Sequence, residues 1–72
     1  MEARELREMT TEELYAKLEE SYQRLMTYRF QLSIKQLQDH NLVRRTKRDI
    51  ARIKTILRER ELAQMAKEEK AE

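Results

Sequence analysis

Cysteine, glycine, proline and tryptophan are all absent from this chain of 72 residues. Without cysteine there is no disulfide, no thiol nucleophile and no thiolate metal ligand, which fits a reducing compartment. Without glycine the backbone has no easy route to positive φ, and without proline the helix interiors carry no breaker. Aromatic residues make up only 6% of the sequence, too few for a sheet-rich fold. No apolar run approaches the roughly 20 residues that a membrane span requires. The opening MEARELREMTTEE is too acidic and too polar for a signal or transit peptide. These absences predict a protein that stays in the cytoplasm.

What remains is helical in composition. Charged residues reach 42%, and Leu, Glu, Arg, Lys and Ala dominate, the profile of long helices. A chain this short encloses no large core, so residues 1–72 read as a single domain that leans on a partner. The formal net charge of +2 hides a segregation. Residues 1–23 hold 3 basic and 7 acidic side chains, residues 24–52 hold 8 and 2, and residues 53–72 hold 5 of each. A basic middle between acidic and neutral ends points to an anionic partner held at one place.

Two helical segments are legible. Thr10 and Glu13 form a Thr-x-x-Glu capping box, and Met9 and Leu14 stand where a hydrophobic staple would place them. From there Leu14, Leu18, Ser21, Leu25, Tyr28 and Leu32 recur at spacings of four and three, flanked by Tyr15, Tyr22 and the stem of Arg29. Val43, Thr46, Ile50, Ile53 and Leu57 repeat the pattern, flanked by Leu42 and Ile56. Between them lies Gln38-Asp39-His40-Asn41, with Asp39 the expected N-cap and Asn41 the fallback. A short connection between matching seams implies antiparallel neighbours. The expected fold is therefore all-α: a two-helix antiparallel hairpin with a short N-terminal helical turn. Its expected parts are an N-terminal turn over 1–9, a first helix over 10–37, a connection over 38–41, a second helix over 42–62 and a frayed tail over 63–72. Ala3 and Leu6 are expected to fold against the open end.

Catalysis finds no residues to work with. One histidine, no cysteine and no glycine-rich loop leave no nucleophile pair or phosphate cradle. His40 reads as a solvated turn residue. Glu12, Glu13, Glu19 and Glu20 read as charge balance at a helix N-terminus. A two-helix hairpin does not wrap converging metal ligands, so no enzyme activity, no metal and no cofactor is expected.

The basic residues carry more information. On a helical wheel Arg44, Arg48 and Arg52 form a row opposite the Val43/Ile50/Leu57 seam, with Arg45 on one side and Lys47, Lys54 and Arg58 on the other. Asp49 and Glu59 are the only acids among residues 42–60. A merely solvated helix face intersperses the two signs through i, i+4 pairs, so this face points to nucleic acid. Six arginines against three lysines over residues 24–54 favour forked phosphate contacts over diffuse charge. A second anomaly is apolar: Met26, Phe30, Ile34 and Leu37 point away from the seam, as a protein-partner patch would. A coiled-coil adaptor binding another protein through its seam is the alternative. A basic amphipathic helix on a membrane is disfavoured by the lack of Trp and by the burial of the apolar face within the hairpin.

The segments RFQL at 29–32, Gln36-Leu37 and above all TKRDIARIKTILRER at 46–60 resemble the bacterial-type large-subunit ribosomal protein twenty-nine family. The resemblance runs over about residues 3–62. It implies a long helix hairpin on large-subunit ribosomal RNA near the nascent-chain exit tunnel, with no small-molecule substrate. It also implies ribosomal protein twenty-three as a neighbour, with chaperone or targeting factors docking close by. Residue by residue it implies RNA contacts from Arg29, Gln31, Gln36, Arg44, Lys47, Arg48 and Arg52. The sequence departs from the family in the turn. A glycine common before Gln36 is Lys35 here, and a proline often found after the cap is His40. Lys35 is expected to add a phosphate contact.

Overall fold

The computed structural model describes residues 2–71, and all of its regular structure is helical. Helix α1 spans Ala3–Arg7, α2 spans Thr11–Ser33 and α3 spans Asn41–Ala71. The two long helices pack side by side as a hairpin, and α1 lies against α3. The result is a rod of 56 × 19 × 16 Å. Its radius of gyration is 15.7 Å, against about 11 Å for a compact chain of this length.

Helix α2 starts where the capping box placed it. The Thr10 hydroxyl accepts the Glu13 amide at 3.1 Å and donates to the Glu13 carboxylate at 3.0 Å. Met9 and Leu14 belong to one apolar cluster, as a staple requires. Helix α2 ends four residues before the expected 37, and the reason is a reversal at Lys35. That residue adopts φ 58°, the left-handed region that glycine favours. Around it the Lys35 amide donates to the Leu32 carbonyl at 3.1 Å and the Gln36 amide to the Gln31 carbonyl at 2.8 Å. These are the two bonds of a Schellman ending, built without a glycine. The connection therefore runs over 34–40 rather than 38–41.

Helix α3 starts at Asn41, one residue before the expected 42. Asp39 does the capping chemistry: its Oδ1 accepts the Asn41 amide at 2.9 Å. The helix then continues to Ala71, beyond the expected end at Leu62 and through most of the segment read as a frayed tail. Residues 63–71 are mostly Ala, Gln, Met, Glu and Lys, strong helix formers with no breaker, so propagation meets no obstacle. Residues 61–69 are all exposed. Met1 and Glu72, the outermost residues of the expected N-terminal turn and tail, lie outside the described residues.

The seam is sealed unevenly. Leu6, Leu14, Ile53, Ile56 and Leu57 form a buried cluster at the open end, with Ala3, Met9 and Leu18 packed against it. Ser21, Leu25, Thr46 and Ile50 continue the buried line towards the tip. The Thr46 hydroxyl donates to the Leu42 carbonyl at 2.7 Å, and among the described residues no buried side-chain polar atom lacks a partner. At the tip end the seam opens: Tyr28 and Val43 are half-buried, and Leu32 is 38% exposed.

Ile56 lies outside the hairpin stripe and is nevertheless buried, because Leu6 of α1 covers that side of α3. Arg60 fastens the arrangement. Its guanidinium donates to the Met9 carbonyl at 2.6 Å, the Arg7 carbonyl at 3.2 Å and the Thr11 hydroxyl at 3.1 Å. One side chain of α3 thus satisfies carbonyls that the end of α1 leaves free.

Burial at the open end makes a direct prediction. Leu14→Ala or Ile53→Ala should cost about 2–4 kcal/mol in urea unfolding, whereas Met26→Ala, at 72% exposure, should cost under about 0.5 kcal/mol. Equal losses at all three positions would contradict an open-end core.

Candidate nucleic-acid interface

The rotation of α3 about its own axis is set by its buried line of Thr46, Ile50, Ile53 and Leu57. With those side chains turned inward, Arg44, Arg48 and Arg52 emerge on the outer face, all exposed. Spacings of four residues put them in a row of about 12 Å. Arg45, Lys47, Lys54 and Arg58 are exposed around that row. The cations do not all stand in the same condition. The Lys54 ammonium lies 5.2 Å from the centroid of the Tyr22 ring, a cation–π contact across the hairpin. Arg24 pairs with Glu20 one turn back on α2.

Arg29 is exposed and Gln31 half-buried on the tip-side part of α2, while Lys35 and Gln36 are exposed in the connection. Arg44, Lys47, Arg48 and Arg52 line the outer side of α3. All eight candidate RNA-binding residues thus share the half of the rod nearer the connection, as a string of positions on three successive segments. The acids Glu12, Glu13, Glu19 and Glu20 occupy the other half of α2, also exposed.

The expected apolar patch divides. Met26, Phe30 and Ile34 stand at 72%, 64% and 45% exposure on α2 and its C-cap. Leu37 does not join them. The reversal at Lys35 takes it off the helix, and it folds back to 8% exposure. Its place in the patch assumed a helix running through 37.

Two basic residues gained roles that the charge count had hidden. Arg60 holds the α1–α2 junction, and Arg7 reaches the same groove as Arg48 and Arg52. The signal for Arg60 was the register: pairing Leu14 with Leu57 brings Thr11 opposite residue 60. Arg7 had no local signal, since it sits in the segment that counts as acidic. Among the described residues, no group of His, Cys, Asp and Glu is placed to hold a metal ion, and no helix is long and apolar enough to cross a membrane.

A long helical hairpin with a cationic outer row at one end and its core at the other is the class of protein that fold and site define. Comparison with known proteins narrows it. The family model for the ribosomal L29 protein matches residues 4–60. The chain is 60% identical over 62 residues to the large ribosomal subunit protein uL29 of Thermosipho melanesiensis, covering 86% of this chain and 94% of the relative. It is 61% identical over the same length to that of Thermotoga maritima, with the same coverage. Against the uL29 of Natranaerobius thermophilus identity is 50%, over 86% of this chain and 95% of the relative. The chain belongs to the ribosomal L29 protein family.

The turn beside the interface offers a second prediction. A non-glycine residue in the left-handed region costs about 1 kcal/mol or more. Lys35→Gly should therefore raise the urea midpoint by an amount equivalent to roughly 1 kcal/mol, with the slope of the transition unchanged. A lower midpoint would show that the lysine side chain itself holds the turn.

Proposed function

We propose that this chain is a structural constituent of the cytoplasmic large ribosomal subunit, where it binds large-subunit ribosomal RNA near the nascent-chain exit tunnel and supports translation. The reading assigns it a structural role and no catalysis. The observation that carries it is the exposed Arg44/Arg48/Arg52 row, held outward by a seam that the hairpin has already used up. Membership of the ribosomal L29 family supports the assignment to the large subunit. Forked guanidinium contacts to phosphate position a protein on RNA without reading bases. Arg29, Gln31, Lys35, Gln36 and Lys47 extend the contact around the tip.

Met26, Phe30 and Ile34 then face protein rather than RNA. Ribosomal protein twenty-three is the neighbour we assign to them, with chaperone or targeting factors approaching the same end. The competing reading, an adaptor that recruits a partner through its seam, is disfavoured because Leu25, Ile50 and Ile53 are buried within the chain itself. A seam so occupied is open only at its tip end, around Leu32.

The experiment is a salt titration of binding to large-subunit ribosomal RNA. Arg48→Ala should weaken binding to different RNA fragments about equally and lower the salt slope by about 0.7–0.9 unit. Glu19→Ala, at the acidic end, should leave the slope unchanged. Identical behaviour of the two variants would remove the basic row from the interface.

A further inference from the structure

Helix α1 does more than cover Ile56. Between it and α3 runs a groove lined by Ala3 of α1 and by Arg48, Ala51, Arg52 and Ile56 of α3. Arg7 of α1 and Glu59 of α3 also line it. The α3 residues that border it, from 48 to 59, extend over about 16 Å, longer than one backbone phosphate requires. Alanines at positions 3 and 51 leave the groove unfilled, since neither side chain reaches across it. Three arginines and one glutamate line this groove, so its lining carries more positive than negative charge. It is also continuous with the outer row, because Arg48 and Arg52 belong to both.

From this we infer that the α1–α3 groove is a binding site for an RNA backbone segment, with Arg7 supplying a phosphate contact that the outer row alone does not. The inference rests on the RNA-binding reading above and extends it to α1. The sugar edge of the backbone lies on the alanine walls, and the phosphates meet Arg48 and Arg52 on one side and Arg7 on the other. Glu59 disfavours a second anion at its own end, which sets a limit to the segment. Arg60 acts as a positioning residue: by binding the Arg7 and Met9 carbonyls it holds Arg7 beside α3. The charge complementarity favours a polyanion, and continuity with the arginine row favours RNA over an acidic peptide.

The test compares four full-length variants in salt titrations against large-subunit ribosomal RNA, with a polyglutamate peptide as a second probe. Arg7→Ala should lower the salt slope by about 0.7–0.9 unit. Arg4→Ala, the same charge change on α1 outside the groove, should leave it unchanged. Ala51→Met fills the groove without altering charge and suits a helix; it should weaken binding roughly tenfold at low salt while the helical signal and melting temperature stay at wild-type values. Arg44→Ala reports on the outer row separately. If Arg7→Ala matches Arg4→Ala and Ala51→Met binds normally while Arg44→Ala still lowers the slope, the groove site is overturned and the RNA-binding reading stands. If Arg44→Ala has no effect either, both are overturned. An Arg7-dependent affinity for polyglutamate with no Arg7 dependence for RNA would also overturn the proposal, in favour of a peptide groove.

Discussion

Leu6, Leu14, Ile53, Ile56 and Leu57 meet at the open end of the hairpin, and their burial is the constraint on which the rest depends. Each such side chain removed from water contributes about 1.5–3 kcal/mol, whereas exposed ion pairs such as Arg24–Glu20 contribute little. Two helices share one seam and cannot surround a core. The third wall here is α1, only five residues long, which closes the cluster from the side of Ile56. Because the apolar contacts are concentrated there, the other half of the rod is free to carry Met26, Phe30 and a row of arginines outward. The densest packing thus lies at the open end, and the exposed apolar and cationic side chains of the hairpin extend from beside it to the tip.

The helix ends reinforce that division. At the open end the Thr10–Glu13 cap and the Arg60 hydrogen bonds satisfy donors and acceptors within the chain. At the tip the backbone is satisfied more locally, by the two bonds around Lys35 and by Asp39 accepting the Asn41 amide. Few side chains are buried near the tip apart from Leu37. A partner at the tip therefore meets exposed side chains on a backbone whose hydrogen bonds are already made.

The seam, the cap at Thr10 and the fold of Leu6 onto the open end could be read from spacing alone, because apolar periodicity and capping chemistry are local. The end of α2 could not. A reversal is usually announced by glycine, and here lysine takes the left-handed position, so the helix read four residues too long and Leu37 was assigned to the wrong side. The extension of α3 beyond Leu62 was hidden for the opposite reason: periodicity disappears where a helix has nothing to pack on, while intrinsic propensity persists. The arginine row of α3 was legible because its spacing is regular. Arg7 was not, since its place beside Arg48 and Arg52 depends on how α1 docks, a tertiary fact with no signature in the neighbouring residues.

In the function proposed above, the outer arginines hold this rod on the large ribosomal subunit. Sedimentation through a gradient with large subunits lacking the endogenous protein tests it most directly, comparing the wild-type chain with the Arg44→Ala/Arg48→Ala/Arg52→Ala variant at low and raised salt. The wild type should travel with the subunit at low salt and be released as salt rises, while the folded variant stays at the top of the gradient. A variant that travels with the subunit as well as the wild type would contradict it.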